Sequence, residues 1–224
     1  MKKILLSIIC LLVVAAFPAF AQKDAQAKVI LGQVSQKYRT YNIIKSDFTF
    51  TVDNPQAGIK ETRNGSLITQ TKSNKYKVAI YAAGTANVDN EVINDGKTQW
   101  TYLKADKEVQ VSKASSNPNE FSPAKIFTIY ETGYKYLYTG DQKIGGKIYQ
   151  GIDLTPESEK AQYFKIRLLI DKAKKQIYSA QIFDRNGSKY NYTLRSFVGN
   201  AAVAATTFTF DAKAHPGVEV VDLR

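Results

Sequence analysis

Few residues in this chain have the types and spacing for chemistry. There is one cysteine, Cys10, and one histidine, His215. Cys10 lies inside the apolar run from Ile4 to Phe17, preceded by Ser7-Ile8-Ile9. That is not the small-residue setting of a lipid-modified cysteine, and the thiol is expected to leave with the leader. His215 stands before Pro216 near the C-terminus. A general base or metal ligand needs partners, and no spacing supplies them, so His215 reads as a loop residue. Gly145-Gly146 reads as a turn. No phosphate-binding glycine loop, dinucleotide glycine pattern or nucleophile elbow is found. The carboxylates are scattered, and no pair is singled out for acid/base work. Asn64-Gly65-Ser66 and Asn186-Gly187-Ser188 fit a glycosylation pattern but read as hairpin turns. The expectation is a protein that is not an enzyme, with no catalytic residue, metal or cofactor.

What the chain has in abundance is apolar and aromatic bulk, including 14 tyrosines, 11 phenylalanines and a single tryptophan, Trp100. The stretch "EVINDGKTQWTYLKADKEVQV", Glu91 to Val111, shows how it is placed. Asp95-Gly96 predicts a two-residue type I′ turn, which needs positive φ at both positions, and the flanks read as strands. Such side chains can fill a core or line a cavity. Composition and spacing leave both readings open.

The elements that would position them follow from periodicity. Met1-Lys2-Lys3, the apolar run and Ala19-Phe20-Ala21 form a secretory signal at residues 1–21, too short in its apolar part to span a bilayer. Residues 22–224 are expected to be one domain. Lys23 to Tyr41 predicts an amphipathic helix with Ala27, Ile30, Leu31, Val34, Tyr38 and Tyr41 on one stripe. From Lys45 the pattern is β: "SDFTFTV", two strands about Lys72-Ser73-Asn74, the tryptophan hairpin, "YKYLYTG", "KIYQGIDLTP", "YFKIRLLID", "QIYSAQIFD", "SKYNYTLRSF", "TTFTF" and "VEVVDL". A short helix interrupts it, with Ser122 as cap, Pro123 in its first turn and Ala124 to Tyr130 following. Its apolar surface on most sides predicts burial or a covering role. Eleven to thirteen short strands imply an antiparallel barrel or sandwich. The net charge of +11 favours anionic membranes or acidic partners, and the leader argues against nucleic acid.

"VINDGKTQWTY" resembles a signature hairpin of the periplasmic outer-membrane lipoprotein carrier family. "SDFTFTV", "GSLITQTKSNKYKV" and "FTFDAKAHPGVEVVDL" resemble further family segments in the same order. The resemblance implies an incomplete antiparallel β-barrel, a half-barrel covered by the N-terminal helix and a short lid helix. It implies an apolar cavity for acyl chains, lined here by Ile30, Val34, Phe48, Phe50, Leu67, Tyr76, Val78, Ile80, Val92, Trp100, Tyr102, Ile126, Phe127 and Tyr130. It implies a basic lid clasp, for which Lys72 is the nearest equivalent; Ser73 stands where the family has proline. It also implies a monomeric periplasmic chaperone. Its partners would be acylated lipoproteins, an inner-membrane lipoprotein-releasing ABC transporter and an outer-membrane acceptor protein or membrane, with no nucleic acid. The alternative is a binding protein of the same fold for another lipid or hydrophobic precursor.

Overall fold

The computed structural model describes residues 19–73, 75–115 and 123–224. Most of the expected leader, Cys10, Phe121 and Ser122 lie outside the described residues. Among the described residues one α-helix, α1 (Ala19–Tyr38), precedes thirteen strands. They are β1 (Ile43–Asn54), β2 (Ile59–Gln70), β3 (Lys75–Tyr81), β4 (Val88–Asp95), β5 (Thr98–Leu103) and β6 (Glu108–Lys113). Then come β7 (Tyr134–Ile144), β8 (Lys147–Pro156), β9 (Tyr163–Asp171), β10 (Gln176–Asp184), β11 (Lys189–Leu194), β12 (Val198–Gly199) and β13 (Glu219–Asp222).

The strands form one sheet in the order β13-β6-β5-β4-β3-β2-β1-β11-β10-β9-β8-β7, with β12 beside the start of β1. β7 and β13 end the order without pairing to each other, so the barrel is open. The pairing is antiparallel except where β13 runs parallel to β6. The expected half-barrel with a helix is the observed architecture.

The helix is amphipathic as its spacing requires. Ala27, Ile30, Leu31, Val34 and Tyr38 are buried, while Lys28, Val29, Gln33 and Gln36 face solvent. The helix stops at Tyr38, three residues before the expected end. The Arg39 amide still bonds to the Ser35 carbonyl, but those of Thr40 and Tyr41 reach back only three residues, to Lys37 and Tyr38. This tightening ends the helix. Tyr38 then holds the helix to the sheet: its hydroxyl accepts the Ile177 amide at 2.8 Å.

Several turns differ from expectation. Only Gly96 of Asp95-Gly96 takes a positive φ, 94°. The Asp95 carboxylate instead accepts the amides of Lys97 and Thr98 at 2.8 and 2.7 Å, so a side chain organises the turn. Asn186-Gly187 is the expected turn, with Gly187 at φ 86°. Gly65 is not in a turn; it lies inside β2, opposite Phe48. A Cβ there would meet the Phe48 ring at 2.5 Å, so the missing side chain makes room for the ring. The lid segment is a 3-10 turn, Pro123–Phe127, not an α-helix, and "TTFTF" contributes the 3-10 turn Ala205–Phe208, not a strand.

Gly65→Ala is expected to destabilise the fold by about 1–3 kcal/mol through overpacking. Urea titration of Gly65→Ala, Phe48→Ala and the double variant checks it. The cost of the alanine should shrink once the ring is gone.

Candidate functional site

Strand register decides which side chains look into the half-barrel. Phe48 and Phe50 of β1 share the inner face with Leu67 of β2 and with Tyr76, Val78 and Ile80 of β3, because Leu67 pairs with Val78. Val78 pairs with Val92, which extends that face onto β4. On the other wing Ile152, Leu154, Ile166, Leu168, Ala180 and Ile182 alternate inward. The helix stripe and the lid side chains Ile126, Phe127 and Tyr130 complete one continuous apolar cluster with these residues. Thus Ile30, Val34, Phe48, Phe50, Leu67, Tyr76, Val78, Ile80, Val92, Ile126, Phe127 and Tyr130 are brought together.

Trp100 and Tyr102 are not, which corrects the expectation that they line the same cavity. Val92 is opposite Thr101, whereas Ile93 is opposite Trp100 and Glu91 opposite Tyr102. A one-residue difference in register moves a side chain to the other face. Trp100 and Tyr102 therefore lie outside, in register with Val111 and Val109 of β6. Val109, Val111 and Ile93 are buried there. The C-terminal segment covers this second core: Phe208 is buried, and Tyr102 packs against Phe210 and His215 at 5.8 and 4.6 Å between ring centres. His215 stacks on Phe210 and its Nδ1 lies 2.9 Å from the Asp211 carbonyl, so it belongs to this aromatic clamp.

The lid is a plug with a light fastening. Ile126 and Phe127 are each 1 % exposed and pack toward β2 and β3. The Phe127 ring meets Tyr38 edge-on at 5.2 Å and Phe197 at 5.8 Å. The expected clasp, Lys72, is exposed and makes no hydrogen bond or ion pair among the described residues. Its neighbour Thr71 ties the β2–β3 turn to the connection between α1 and β1, not to the lid: its amide donates to the Asn42 carbonyl and its hydroxyl to that of Tyr41. Between helix and lid the fastening is Glu131, which accepts from the Ser35 hydroxyl at 2.6 Å and lies 3.5 Å from the Arg39 guanidinium. Sequence periodicity does not mark Ser35 and Glu131, since they are polar and distant in the chain, one on a surface helix and the other in a bend after the lid turn.

Clefts surround the lid. One of about 310 Å³ lies between helix and lid, with Leu31, Ser35, Tyr130 and Tyr136 in its wall. Another of about 270 Å³ runs beside Tyr38, Thr71, Lys72 and Phe127. A third, about 600 Å³, separates the lid's end from Pro156, Ala161 and Tyr163. Their walls hold phenol groups beside charged side chains such as Arg39, Glu131 and Glu157. The Tyr134 and Tyr163 hydroxyls are 2.5 Å apart, and Tyr136 donates to the Tyr130 carbonyl at 2.9 Å. The Tyr130 hydroxyl is buried without a hydrogen-bond partner, and that burial raises its pKa. Among the described residues no group of three or more His, Cys, Asp or Glu is placed to hold a metal ion, and no helix is long and apolar enough to cross a membrane. What the arrangement offers is a continuous apolar face beneath a cover that few polar contacts fasten to the helix.

The sequence model of a family described as outer membrane lipoprotein carrier protein LolA matches residues 39–211. Among solved structures, an uncharacterized conserved protein from Thermus thermophilus superposes with a TM-score of 0.54 at 13% identity, covering 88% of this chain and 99% of that one. A LolA superfamily protein from Nitrosomonas europaea gives 0.46 at 11%, covering 83% and 98%. LprF from Mycobacterium bovis gives 0.48 at 13%, covering 82% and 98%. At such identities the Thermus likeness speaks of fold alone. No curated protein matches the chain.

Two outcomes are expected. Tyr130→Phe removes a buried, unpaired hydroxyl and should raise stability by about 1 kcal/mol, read from the urea midpoint. Glu131→Gln loosens the fastening between helix and lid. Amide exchange should quicken in residues 123–131 with the strands of the inner face unchanged.

Proposed function

The chain belongs to the outer membrane lipoprotein carrier family, and from that premise we propose that it carries acylated lipoproteins through the periplasm from the inner to the outer membrane. Family membership supports a lipoprotein-sorting protein of the periplasm; the route, donor and acceptor are our reading. An inner-membrane ABC transporter would load it, and an outer-membrane acceptor protein or the membrane itself would receive the cargo. The residues proposed to meet the acyl chains are those of the inner face and plug, from Ile30 and Val34 to Phe127 and Tyr130.

The observation that carries this reading is the balance between plug and fastening. Burying a side chain the size of Ile126 or Phe127 contributes about 1.5–3 kcal/mol. Each methylene of an entering acyl chain contributes about 0.8 kcal/mol. Roughly six methylenes therefore offset displacement of the two plug side chains, and a full acyl chain exceeds it. The Glu131 contacts add little to the barrier, because partly exposed ion pairs contribute about 0–1 kcal/mol. Release needs no chemistry on the carrier: the plug returns as the cargo leaves for a more apolar site.

A second reading has one observation in its favour. The phenol groups of Tyr130, Tyr134, Tyr136 and Tyr163 beside the lid suit a hydrophobic molecule with polar groups as well as an acyl ester. The identity of the bound molecule separates the two.

Native mass spectrometry of the protein, recovered from its own cells without detergent, is expected to show a bound triacylated lipoprotein. A free lipid or precursor would favour the second reading. In parallel, an apolar fluorescent probe should bind, and Val78→Glu should weaken it at least tenfold, while Trp100→Ala on the outer face should not. An empty protein that also ignores the probe would sink both readings.

A further inference from the structure

We propose that the neighbouring tips of the β7–β8 and β9–β10 hairpins form a docking foot for an anionic phospholipid surface. The first tip reads Lys143-Ile144-Gly145-Gly146-Lys147-Ile148, and every residue of it is exposed. Gly145 and Gly146 turn the chain at φ 54° and 79°, a pair of positive values that suits a tight two-residue hairpin. Ile144 and Ile148 are 40% and 45% exposed, with Lys143 and Lys147 between and beside them. The second tip is Lys172-Ala173-Lys174-Lys175. The Lys172 amide donates to the Ile148 carbonyl at 3.0 Å, which joins the two tips. Lys175 occupies a left-handed turn position, φ 50°, where glycine or asparagine is favoured.

A cleft of about 250 Å³ opens at the same end, with Lys147, Lys174, Arg195 and Ser196 in its wall beside Tyr149 and Tyr178, whose ring centres are 4.3 Å apart. Its size and charge suit the phosphodiester of a lipid headgroup. The acids of this end are already engaged. Asp171 is 9% exposed and accepts the amides of Ala173 and Lys174. Asp141 holds Lys172 at 2.8 Å and the Tyr138 hydroxyl at 2.6 Å. Asp47 accepts the Ser196 hydroxyl at 2.7 Å. Lys143, Lys147, Lys174 and Arg195 are exposed and make no ion pair among the described residues, so their charge faces outward.

The isoleucines select a membrane over an acidic protein. Lysine stems flanking an exposed apolar side chain can lie along the headgroup layer, heads in water, while the isoleucine dips to the acyl boundary. Against an acidic protein surface those isoleucines would meet polar groups. Each basic side chain near an anionic leaflet strengthens binding about fivefold. The inference does not need the carrier reading: a foot of this kind would hold any periplasmic lipid-binding protein to a bilayer.

The test is flotation of the purified protein with vesicles of phosphatidylcholine alone or mixed with phosphatidylglycerol. Binding is expected only to the mixed vesicles and should weaken as salt rises. Lys147→Gln with Lys174→Gln should lower the partition coefficient about twentyfold, and Ile144→Ser with Ile148→Ser about tenfold. Lys60→Gln with Lys104→Gln, at the opposite end of the sheet, should leave it unchanged. The tip variants should keep their circular dichroism and their binding of the apolar probe, so a loss there marks misfolding or failure of the lipid site instead. Equal binding to both vesicles, or none to either, overturns the proposal. So does retention on an immobilised acidic polypeptide without vesicle binding, which would assign the foot to an acidic protein.

Discussion

An open sheet with an apolar inner face has to be covered by its own chain, and most of this structure follows from that constraint. The inner face runs from Val92 on one wing to Ile152 and Leu154 on the other. Water on it would be costly, since apolar burial is the main source of stability. α1 and the lid segment supply the cover from sequence positions far apart. Beyond the packing of Phe127 on Tyr38, Glu131 with Ser35 and Arg39 supplies the polar contact between them. A cover held mainly by non-directional apolar contact can be replaced by other apolar matter of similar size. The same property that completes the fold thus underlies the proposed exchange of the cover for an acyl chain.

The outer face is managed differently. The tryptophan hairpin places Ile93, Val109 and Val111 on it, and the C-terminal segment crosses to cover them. The segment finishes as β13, hydrogen-bonded in parallel to β6. Backbone pairing and the Tyr102–Phe210–His215 contacts make this cover directional, unlike the lid. The two stretches that most resemble the carrier family, the hairpin and the C-terminal motif, therefore meet each other on the side away from the proposed lipid site. Their role in the structure is to hold the half-barrel's wing. The proposed lipid site is built from less distinctive inward-facing residues.

Charge follows the same division of labour. The Asp153 carboxylate and the Arg167 guanidinium meet in two bonds of 2.7 and 2.8 Å across β8 and β9, a tie within the sheet. The lysines of the hairpin tips, Lys172 aside, have no such internal partner among the described residues. Turn positions tolerate them because tips are exposed on most sides, so a tip can serve contact with another surface without cost to the core.

Periodicity alone settled the β-rich class, the amphipathic stripe from Ala27 to Tyr38 and the shared face of Tyr76, Val78 and Ile80, because burial on one face leaves its imprint at spacings of two or of three and four residues. Family resemblance added the half-barrel and its lid. Three things were beyond the sequence. Gly65 looked like a turn residue because its neighbours Asn64 and Ser66 suit turns; the Phe48 ring and the Ala79 carbonyl, from the strands on either side, explain it. The family resemblance pointed to Lys72 as the clasp, whereas the polar contact between helix and lid is Glu131 with Ser35 and Arg39, groups far apart in the chain that only the packing of helix and lid brings together. Trp100 and Tyr102 alternate as cleanly as Tyr76 and Val78 do, yet they face outward. Alternation says that residues share a face; it does not say which face. That choice was made by the register of β4 on β5 and by the C-terminal segment, which gave the second face a core of its own.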